Sequence, residues 1–337
     1  MTESAVQPKL RWGVISTANI GRIAVNPAIQ ASRNGELLAV ASRDSQRARE
    51  FAGRSAIPRY HGSYEALLED DGIDAIYNPL PNSLHREWSI RAAEQGKHVL
   101  CEKPLALDAA ECREMEAAAA ANGVTLMEAF MYRFHPRIDQ VLKLVRRGAI
   151  GELRLIRSAF TFRLTRPDNI RLRPELGGGA LMDVGCYCVN ISRTVAAAEP
   201  VEVQAFARWA PTGVDQQLTG TLLFDKGVVA QLDCALDIER RETVEIVGTD
   251  GLIELSSAFL PGAADVQIRE IHGREAPVLH TVPGADQYRL MVEHFADAAL
   301  RNLPVRYPAA EAAANMRVIE ALYRAARQNG TPLAAAG

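Results

Sequence analysis

The sequence predicts a doubly wound parallel α/β sheet over residues 1–130, followed by an α+β domain with an open, mostly antiparallel sheet over residues 131–337. Three observations carry this prediction. Up to about residue 130, short apolar runs alternate with helix-length segments, the pattern of a parallel sheet covered by helices. Beyond that point long strand-like runs cluster together, joined by hairpin turn signals. The chain has 337 residues, 48% of them hydrophobic and 23% charged, which suits two globular domains with ample cores.

The elements follow in order. Arg11–Ile15, Leu37–Ser42, Ile57–Tyr60, Ile73–Asn78, His98–Cys101 and Val124–Met127 read as strands. Between them lie helical stretches. Asn19–Ser32 comes first, with Pro27 at a kink or late first turn. Asp44–Ala52 opens on an N-cap, and Ser63–Asp70 follows. Leu84–Gln95 is stopped by Gly96. In Asp108–Asn122, Asp108 and Glu111 have capping-box spacing and Gly123 ends the helix. The second part begins with an amphipathic helix at His135–Arg147. Its strand-like runs are Glu152–Leu164, Val201–Trp209, Gln217–Leu223, Val228–Leu236, Glu242–Val247, Leu252–Leu255 and Val266–Ile271. Asp225–Gly227 and Thr249–Gly251 supply turns between strands. Helices at Gly179–Val195, Gln287–Leu300 and Pro308–Gln328 complete the chain.

Charge and apolar patterning remove several function classes. Thirty-eight basic against 41 acidic residues give −3, so no basic footprint for nucleic acid or an anionic membrane is expected. No apolar run approaches the roughly 18 residues of a membrane span. Met1–Leu10 is polar and lacks the apolar core of a signal peptide, so a cytoplasmic location is expected. The five cysteines are Cys101, Cys112, Cys186, Cys188 and Cys234, an odd and scattered set that does not read as a disulfide framework. Cys186 and Cys188 have no second pair or nearby His to complete a zinc set, so no metal is expected and the thiols read as small buried hydrophobes.

The first strand runs into Ser16-Thr17-Ala18-Asn19-Ile20-Gly21, where a dinucleotide fold places G-x-G-x-x-G. The first two glycine positions hold Ser16 and Ala18, both small, and backbone amides with a helix N-terminus still suit a diphosphate. The competing reading is an ordinary strand-to-helix turn. The second strand ends in Ser42-Arg43-Asp44, with Arg47 one turn on. A site for NAD usually carries a carboxylate for the ribose here, whereas Ser42, Arg43 and Arg47 suit the 2′-phosphate of NADP. Asp44 then serves as the N-cap of the following helix. NADP is favoured, with NAD as the alternative, and the competing reading leaves both arginines as surface charges.

Only five of the 38 basic residues are lysines, and Lys103 stands in Glu102-Lys103-Pro104 at the end of the fifth strand. The carboxyl ends of such strands face the ligand crevice, and a lysine relays a proton where an arginine does not. Pro104 fixes the chain after it and fits a cis bond. Gly177-Gly178-Gly179 opens a helix carrying Asp183 and Tyr187 at i, i+4 spacing, one face of an α-helix. A phenol near an ammonium has a lowered pKa, the pair needed to take a proton from a hydroxyl as hydride leaves its carbon. The plainer alternatives are a solvated lysine and a satisfied core tyrosine.

Cys101–Pro104, Glu128–Pro136 (EAFMYRFHP) and Gly177–Tyr187 (GGGALMDVGCY), taken together, resemble the glucose–fructose oxidoreductase / inositol dehydrogenase family. Within it the chain is most similar to the branch of dimeric dihydrodiol dehydrogenases and NADP-dependent D-xylose dehydrogenases. The resemblance spans nearly the whole sequence. It implies an N-terminal Rossmann domain and a C-terminal domain whose open sheet forms a homodimer or homotetramer interface. It also implies that Lys103 lies at the nicotinamide and the substrate and that Tyr187 is the catalytic acid/base. Asp183, Arg133 and Phe162 are implied on the substrate side. Asn78 and the residues after it, Pro79, Leu80, Pro81 and Asn82, together with His85, look like the family loop along the nicotinamide ribose, which implies a nicotinamide between Pro81 and Glu102–Lys103. Two departures stand out: Ser16 and Ala18 replace glycines, and Asn190 stands where many members have Asp.

The expected function is therefore hydride transfer between NADP and a sugar or cyclic polyol, such as an aldose oxidised at C1. A reductase of a keto- or anhydro-sugar and a trans-dihydrodiol dehydrogenase are alternatives. From another class, a non-catalytic dehydrogenase-fold sensor remains, although it would not need both Lys103 and Tyr187. The Arg-rich Arg163–Arg173 reads as an exposed connection or as a recognition loop for an anionic group on the substrate.

Overall fold

The computed structural model describes residues 8–328, so most of the polar start Met1–Leu10 lies outside the described residues. Contacts divide the chain into two compact units. The first runs up to Phe134 and adds Asp286–Ala313; the second is His135–Ala285 with the residues after Ala313. The first unit is thus discontinuous: residues 286–313, assigned to the second domain by the sequence pattern, pack with the first.

In the first unit the elements are β1 (Leu10–Ile15), α1 (Asn26–Ala31), β2 (Gly35–Ala41), α2 (Ser45–Arg54), β3 (Arg59–His61), α3 (Tyr64–Leu68), β4 (Ala75–Asn78), α4 (His85–Glu94), β5 (His98–Cys101), α5 (Ala109–Ala121) and β6 (Leu126–Glu128). The six strands are parallel in the order β3-β2-β1-β4-β5-β6, the doubly wound order whose strand sequence reverses beside β1. Near-continuous apolar strands such as β4, buried at every position, are what a sheet covered on both faces requires. The expected caps at Asp44 and Asp108 form, each accepting a backbone N–H at the start of α2 and α5, and Ser63 does the same for α3. The Asn19–Ser32 stretch is helical but not uniform. Gly21–Val25 forms a π turn that runs directly into α1, and Pro27, which has no N–H to donate, falls in the first turn after it.

The second unit contains α6 (Pro136–Arg146), β7 (Leu153–Arg163), α7 (Cys186–Ala196), β8 (Pro200–Trp209), β9 (Asp215–Phe224), β10 (Val229–Ala235), β11 (Asp237–Gly248), β12 (Leu252–Ser256), β13 (Val266–Ile271) and β14 (Val278–Val282). They form one open sheet, β14-β13-β12-β11-β7-β10-β9-β8, antiparallel except for the parallel pair β7–β10. The edge strand β14 is absent from the sequence expectation, because its exposed residues do not alternate cleanly. All five cysteines are buried, as their reading as small hydrophobes requires. Among the described residues no helix is long and apolar enough to cross a membrane.

Two long helices close the chain, α8 (Gln287–Arg301) and α9 (Ala309–Gln328). The apolar face of α8 (Met291, Val292, Phe295, Ala296) is buried, and Phe295 packs on Trp12 of β1 with ring centroids 5.2 Å apart. Full burial of a side chain of that size contributes about 1.5–3 kcal/mol. Polar ties finish the attachment: Asn34 Nδ2 donates to Glu293 O and Asp297 Oδ1, each at 2.9 Å, and Arg33 pairs with Asp297.

Candidate active site

The β1–α1 loop explains why its first position is normally glycine. Ser16 adopts φ 94°, left-handed backbone that L-residues rarely take, and its Oγ accepts the Ala18 amide at 3.2 Å. The hydroxyl thus closes the turn. Gly21, the third glycine position, lies against the sheet: a Cβ there would sit 3.3 Å from Asn26 Oδ1 and 3.7 Å from Tyr77 Cε1. Thr17, Ala18 and Ile20 are partly exposed, and Asn19 Oδ1 accepts from Arg22 at 2.7 Å.

At the end of β2, Ser42 is buried and its Oγ accepts the Asp44 amide at 3.3 Å. Asp44 in turn accepts the Arg47 amide at 3.0 Å, confirming its capping role. Arg43 and Arg47 are exposed and face the Tyr64 hydroxyl, which burial pushes above its ordinary pKa while both guanidiniums pull it down. Ser42, Arg43 and Arg47 thus form a polar, cationic patch at one strand end.

The β4–α4 loop is held from beneath. Asn78 is fully buried; its Nδ2 donates to Ser89 Oγ at 3.0 Å and its Oδ1 accepts the Leu80 amide at 3.3 Å. Pro79 and Leu80 are buried, while Pro81 and Asn82 are partly exposed. His85 is fully buried: Nδ1 lies 2.9 Å from Pro104 O and Nε2 2.8 Å from Leu80 O. Burial lowers its pKa to about 4, so it is neutral at physiological pH. The neutral ring carries a single N–H, so His85 donates to one of these two carbonyls while its other nitrogen packs beside the second, between the Leu80 loop and the Lys103–Pro104 loop.

Glu102 and Lys103 follow β5, both partly exposed, and the Lys103–Pro104 bond is cis. Tyr77 donates to Glu102 Oε1 at 2.6 Å, and the Lys103 amide donates to Glu102 Oε2 at 3.3 Å. Buried Glu128, at the end of β6, accepts the Leu105 amide at 2.8 Å and steadies the same loop. Arg133 is only 7% exposed; its guanidinium stacks 3.6 Å from the Tyr307 ring centroid and donates to Glu311 at 3.2 Å. Those partners tie it to the 286–313 segment, a structural use that the sequence reading of Arg133 did not foresee.

In the second unit Tyr187 lies on α7 and is 4% exposed. Its ring packs against Phe160 of β7 and Phe259, with centroids 5.3 and 5.2 Å away, and those two phenylalanines stack on each other. Asp183 sits in a π turn, Leu181–Gly185, that leads into α7, so the α-helical i, i+4 argument does not carry over unchanged. Its carboxylate accepts from Arg171 Nε at 2.6 Å, and Arg171 lies 6.0 Å from the half-buried Phe162 ring. Asp183, Arg171 and Phe162 therefore form one cluster. The Arg163–Arg173 connection is not merely exposed: it folds into a 3-10 turn at Ile170–Leu172 and commits Arg171 to Asp183.

Sequence reasoning missed the residues that support these groups. Arg171 was hidden in a run of arginines, and its partner stands twelve positions later. Phe160 and Phe259 read only as core aromatics. Nothing in the sequence singles out Arg137, whose guanidinium donates to the carbonyls of Ser256, Ser257 and Ala258 at 2.7–2.9 Å.

The chain matches two family models: residues 10–130 match the oxidoreductase family with an NAD-binding Rossmann fold, and residues 138–254 match the GFO/IDH/MocA C-terminal domain. It is 40% identical over 320 residues to D-xylose 1-dehydrogenase (NADP(+)) 2 of Haloferax volcanii, covering 94% of this chain and 97% of that one. It is 35% identical to trans-1,2-dihydrobenzene-1,2-diol dehydrogenase of Mus musculus, over 75% of this chain and 76% of that one. A 3-ketoreductase from Actinomadura kijaniata, solved with NADP and TDP-benzene, superposes with a TM-score of 0.90 at 32% identity, covering 94% of this chain and 98% of that one. The same ketoreductase has been solved as a tyrosine-to-phenylalanine variant and as a lysine-to-alanine variant. Parallel sheet, mixed second sheet, the two matching family models and a 40% identity that spans nearly the whole chain agree: the chain belongs to the GFO/IDH/MocA family of oxidoreductases.

Proposed function

We propose that the protein is an NADP-dependent dehydrogenase acting on a CH–OH group of a sugar, with an aldose such as D-xylose or D-glucose oxidised at C1 to its lactone. The observation that carries this reading is the match, over almost the whole of both chains, to an NADP-dependent D-xylose dehydrogenase. The residues of the first unit fit the cofactor. A strained Ser16 turn, and a Gly21 with little room for a side chain, form the cradle for the diphosphate. Ser42, Arg43 and Arg47 offer one hydroxyl and two guanidiniums to a 2′-phosphate. Pro79–Asn82 and Glu102–Lys103 flank the nicotinamide end. Bound there, NADP+ supplies the hydride acceptor.

The protein's own groups handle the proton. Tyr187 accepts the proton of the reacting hydroxyl, and Lys103 stabilises the phenolate form that makes this acceptance easy. Asp183, oriented by Arg171, accepts hydrogen bonds from substrate hydroxyls, and Phe162 offers an apolar ring edge beside them. Arg133, held by Glu311 and Tyr307, is assigned to the substrate side by the family resemblance alone. Phe160 and Phe259 fix the Tyr187 ring, so its hydroxyl needs no reorientation during the reaction.

The similarity to a 3-ketoreductase supports a second reading, reduction of a keto-sugar by the same groups in reverse. The open face of the second sheet supports a homodimer or homotetramer. It carries Phe206, 64% exposed, in a groove of about 770 Å³ lined also by Arg157, Gln204, Thr221, Gln231 and Arg269. Five buried thiols support a reducing cytoplasm. The test is a panel of sugars, polyols and keto-sugars with NADP and NAD, followed at the reduced-nicotinamide absorbance. Turnover of an aldose with NADP is expected, and Tyr187→Phe should bind NADP normally while turnover falls roughly 10²–10⁴-fold. No turnover with any sugar, or near-normal turnover in Tyr187→Phe, refutes the reading.

A further inference from the structure

The helical segment that carries Asp183 and Tyr187 has no cap from its own sequence. It is entered through Gly177–Gly179, and Ala180, at the N-cap position, offers no side-chain acceptor. The exposed amides are met instead from β9, more than thirty residues later. Asp215 Oδ2 accepts the Leu181 amide at 2.7 Å, and the Ala180 backbone also bonds this carboxylate. Its Oδ1 accepts from the Tyr323 hydroxyl on α9 at 2.7 Å. Asp215 is 1% exposed, so these bonds are made away from water.

The approach of this carboxylate has shaped the glycine before it. Gly179 has φ 122°, and a Cβ there would lie 2.1 Å from Asp215 Oδ1 and 2.9 Å from the Tyr323 hydroxyl. Any side chain at residue 179 would displace the acid. Acid, glycine and phenol form one device at the entry to the segment.

We infer that Asp215 is a positioning residue for Asp183 and Tyr187, its carboxylate capping from a neighbouring strand the helical segment on which both stand. The inference rests on the reading of Tyr187 as acid/base only for its effect on turnover; the cap itself is independent of that reading. Burial raises the Asp215 pKa to about 6, with the hydrogen bonds from Tyr323, Leu181 and Ala180 pulling the other way. The titratable groups that face it are Tyr323 on α9 and Cys234 on β10, and burial raises both well above their usual values, so they stay neutral. The ionised acid is the stronger acceptor for the Leu181 amide, so it holds the segment best above about pH 6.

The experiment uses the full-length chain and three variants, Asp215→Asn, Asp215→Ala and Tyr323→Phe. Hydrogen exchange at the Leu181 amide needs no substrate. It should accelerate at least roughly tenfold in Asp215→Ala, while amides of β12 and β13 are unchanged. With NADP+ and the best sugar of the panel, kcat should fall at least about tenfold in Asp215→Ala with the KM for NADP unmoved. Wild type should lose kcat on the acid side of about pH 6, and Asp215→Asn should lack that limb. Tyr323→Phe removes a hydrogen bond that lowers the Asp215 pKa, so its acid limb should move to higher pH. Unchanged exchange at Leu181, an acid limb retained in Asp215→Asn, or a limb moved to lower pH in Tyr323→Phe overturns the inference. If Asp215→Ala does not fold, Asp215→Asn and Tyr323→Phe decide it. If wild type oxidises no sugar, the proposed function fails, while the exchange result still decides the cap.

Discussion

Replacing Arg137 by Met removes a buried guanidinium that holds three consecutive backbone carbonyls. Arg137 is 1% exposed, and it donates to Ser256 O at 2.9 Å, Ser257 O at 2.7 Å and Ala258 O at 2.8 Å. Burial lowers its pKa to about 10, so it still carries its charge at neutral pH. A hydrogen bond from a charged donor contributes about 1.5–3 kcal/mol, which for three would give at most about 9 kcal/mol. Two offsets reduce that figure. The guanidinium is costly to bury, and the bonds to Ser256 and Ser257 lie close enough to the surface for water to replace them. The net loss expected is about 3–5 kcal/mol, a large share of the stability of an ordinary domain. The same carbonyls begin the turn that ends in Phe259, whose ring packs on Tyr187, so kcat should fall with stability. Urea unfolding at pH 7.5, with the midpoint and slope measured separately, reads the first effect. A loss below about 1 kcal/mol would show that the three bonds are dispensable and that Phe259 is held by its stacking alone.

Arg43→Ala should raise the KM for NADP roughly tenfold or more and leave that for NAD nearly unchanged, read by steady-state kinetics with both cofactors. Equal effects on the two would remove the 2′-phosphate role. His85 has its pKa lowered from 6.5 to about 4 in the folded chain, so the unfolded chain binds the extra proton and stability falls as pH drops through this window. Wild type should lose about 2 kcal/mol between pH 7 and 5 from this group, and His85→Asn should show a correspondingly flatter profile in chemical unfolding. Asp215 has its pKa raised from 3.8 to about 6, so its ionisation costs stability as pH rises across that range. Relative to wild type, Asp215→Asn should therefore gain up to about 3 kcal/mol between pH 4 and 7, and a relative gain on acidification instead would contradict the sign.

How much of this was legible from residues alone depends on the distance over which each feature acts. The alternation of β1 to β6 with helices is local, and it was enough to predict a parallel sheet covered by helices on both faces, though not its strand order. The caps at Asp44 and Asp108 act over three residues and were equally readable. The place of α8 was not, because the partners of Phe295 and Asp297 are Trp12 and Arg33, more than 250 positions earlier. The same holds within the site. Ser16, Lys103 and Tyr187 stand in compact motifs, whereas the groups that orient them were silent. A lone Asp at the start of β9 or an Arg in the first turn of α6 gives no signal until the fold supplies its partner.

The two π turns show why the legible part was also incomplete. Gly21–Val25 follows the Ser16 loop, and Leu181–Gly185 precedes Tyr187. Each therefore lies beside residues read as functional, where such bulges are often found. An i→i+5 turn widens the helix, so spacing rules drawn from 3.6 residues per turn assign faces wrongly there. The widened turn needs room, and glycine provides it. A Cβ at Gly185 would lie 2.7 Å from Cys234 Sγ and 2.8 Å from Leu181 Cδ1, and one at Gly21 would lie 3.3 Å from Asn26 Oδ1, a tight but less severe approach. Asp183 illustrates the consequence: read as the neighbour of Tyr187 on an α-helical face, it stands inside the π turn with its carboxylate on Arg171. The glycines mark the places where the backbone departs from the regular helix, and the residues proposed for cofactor and substrate stand beside those departures.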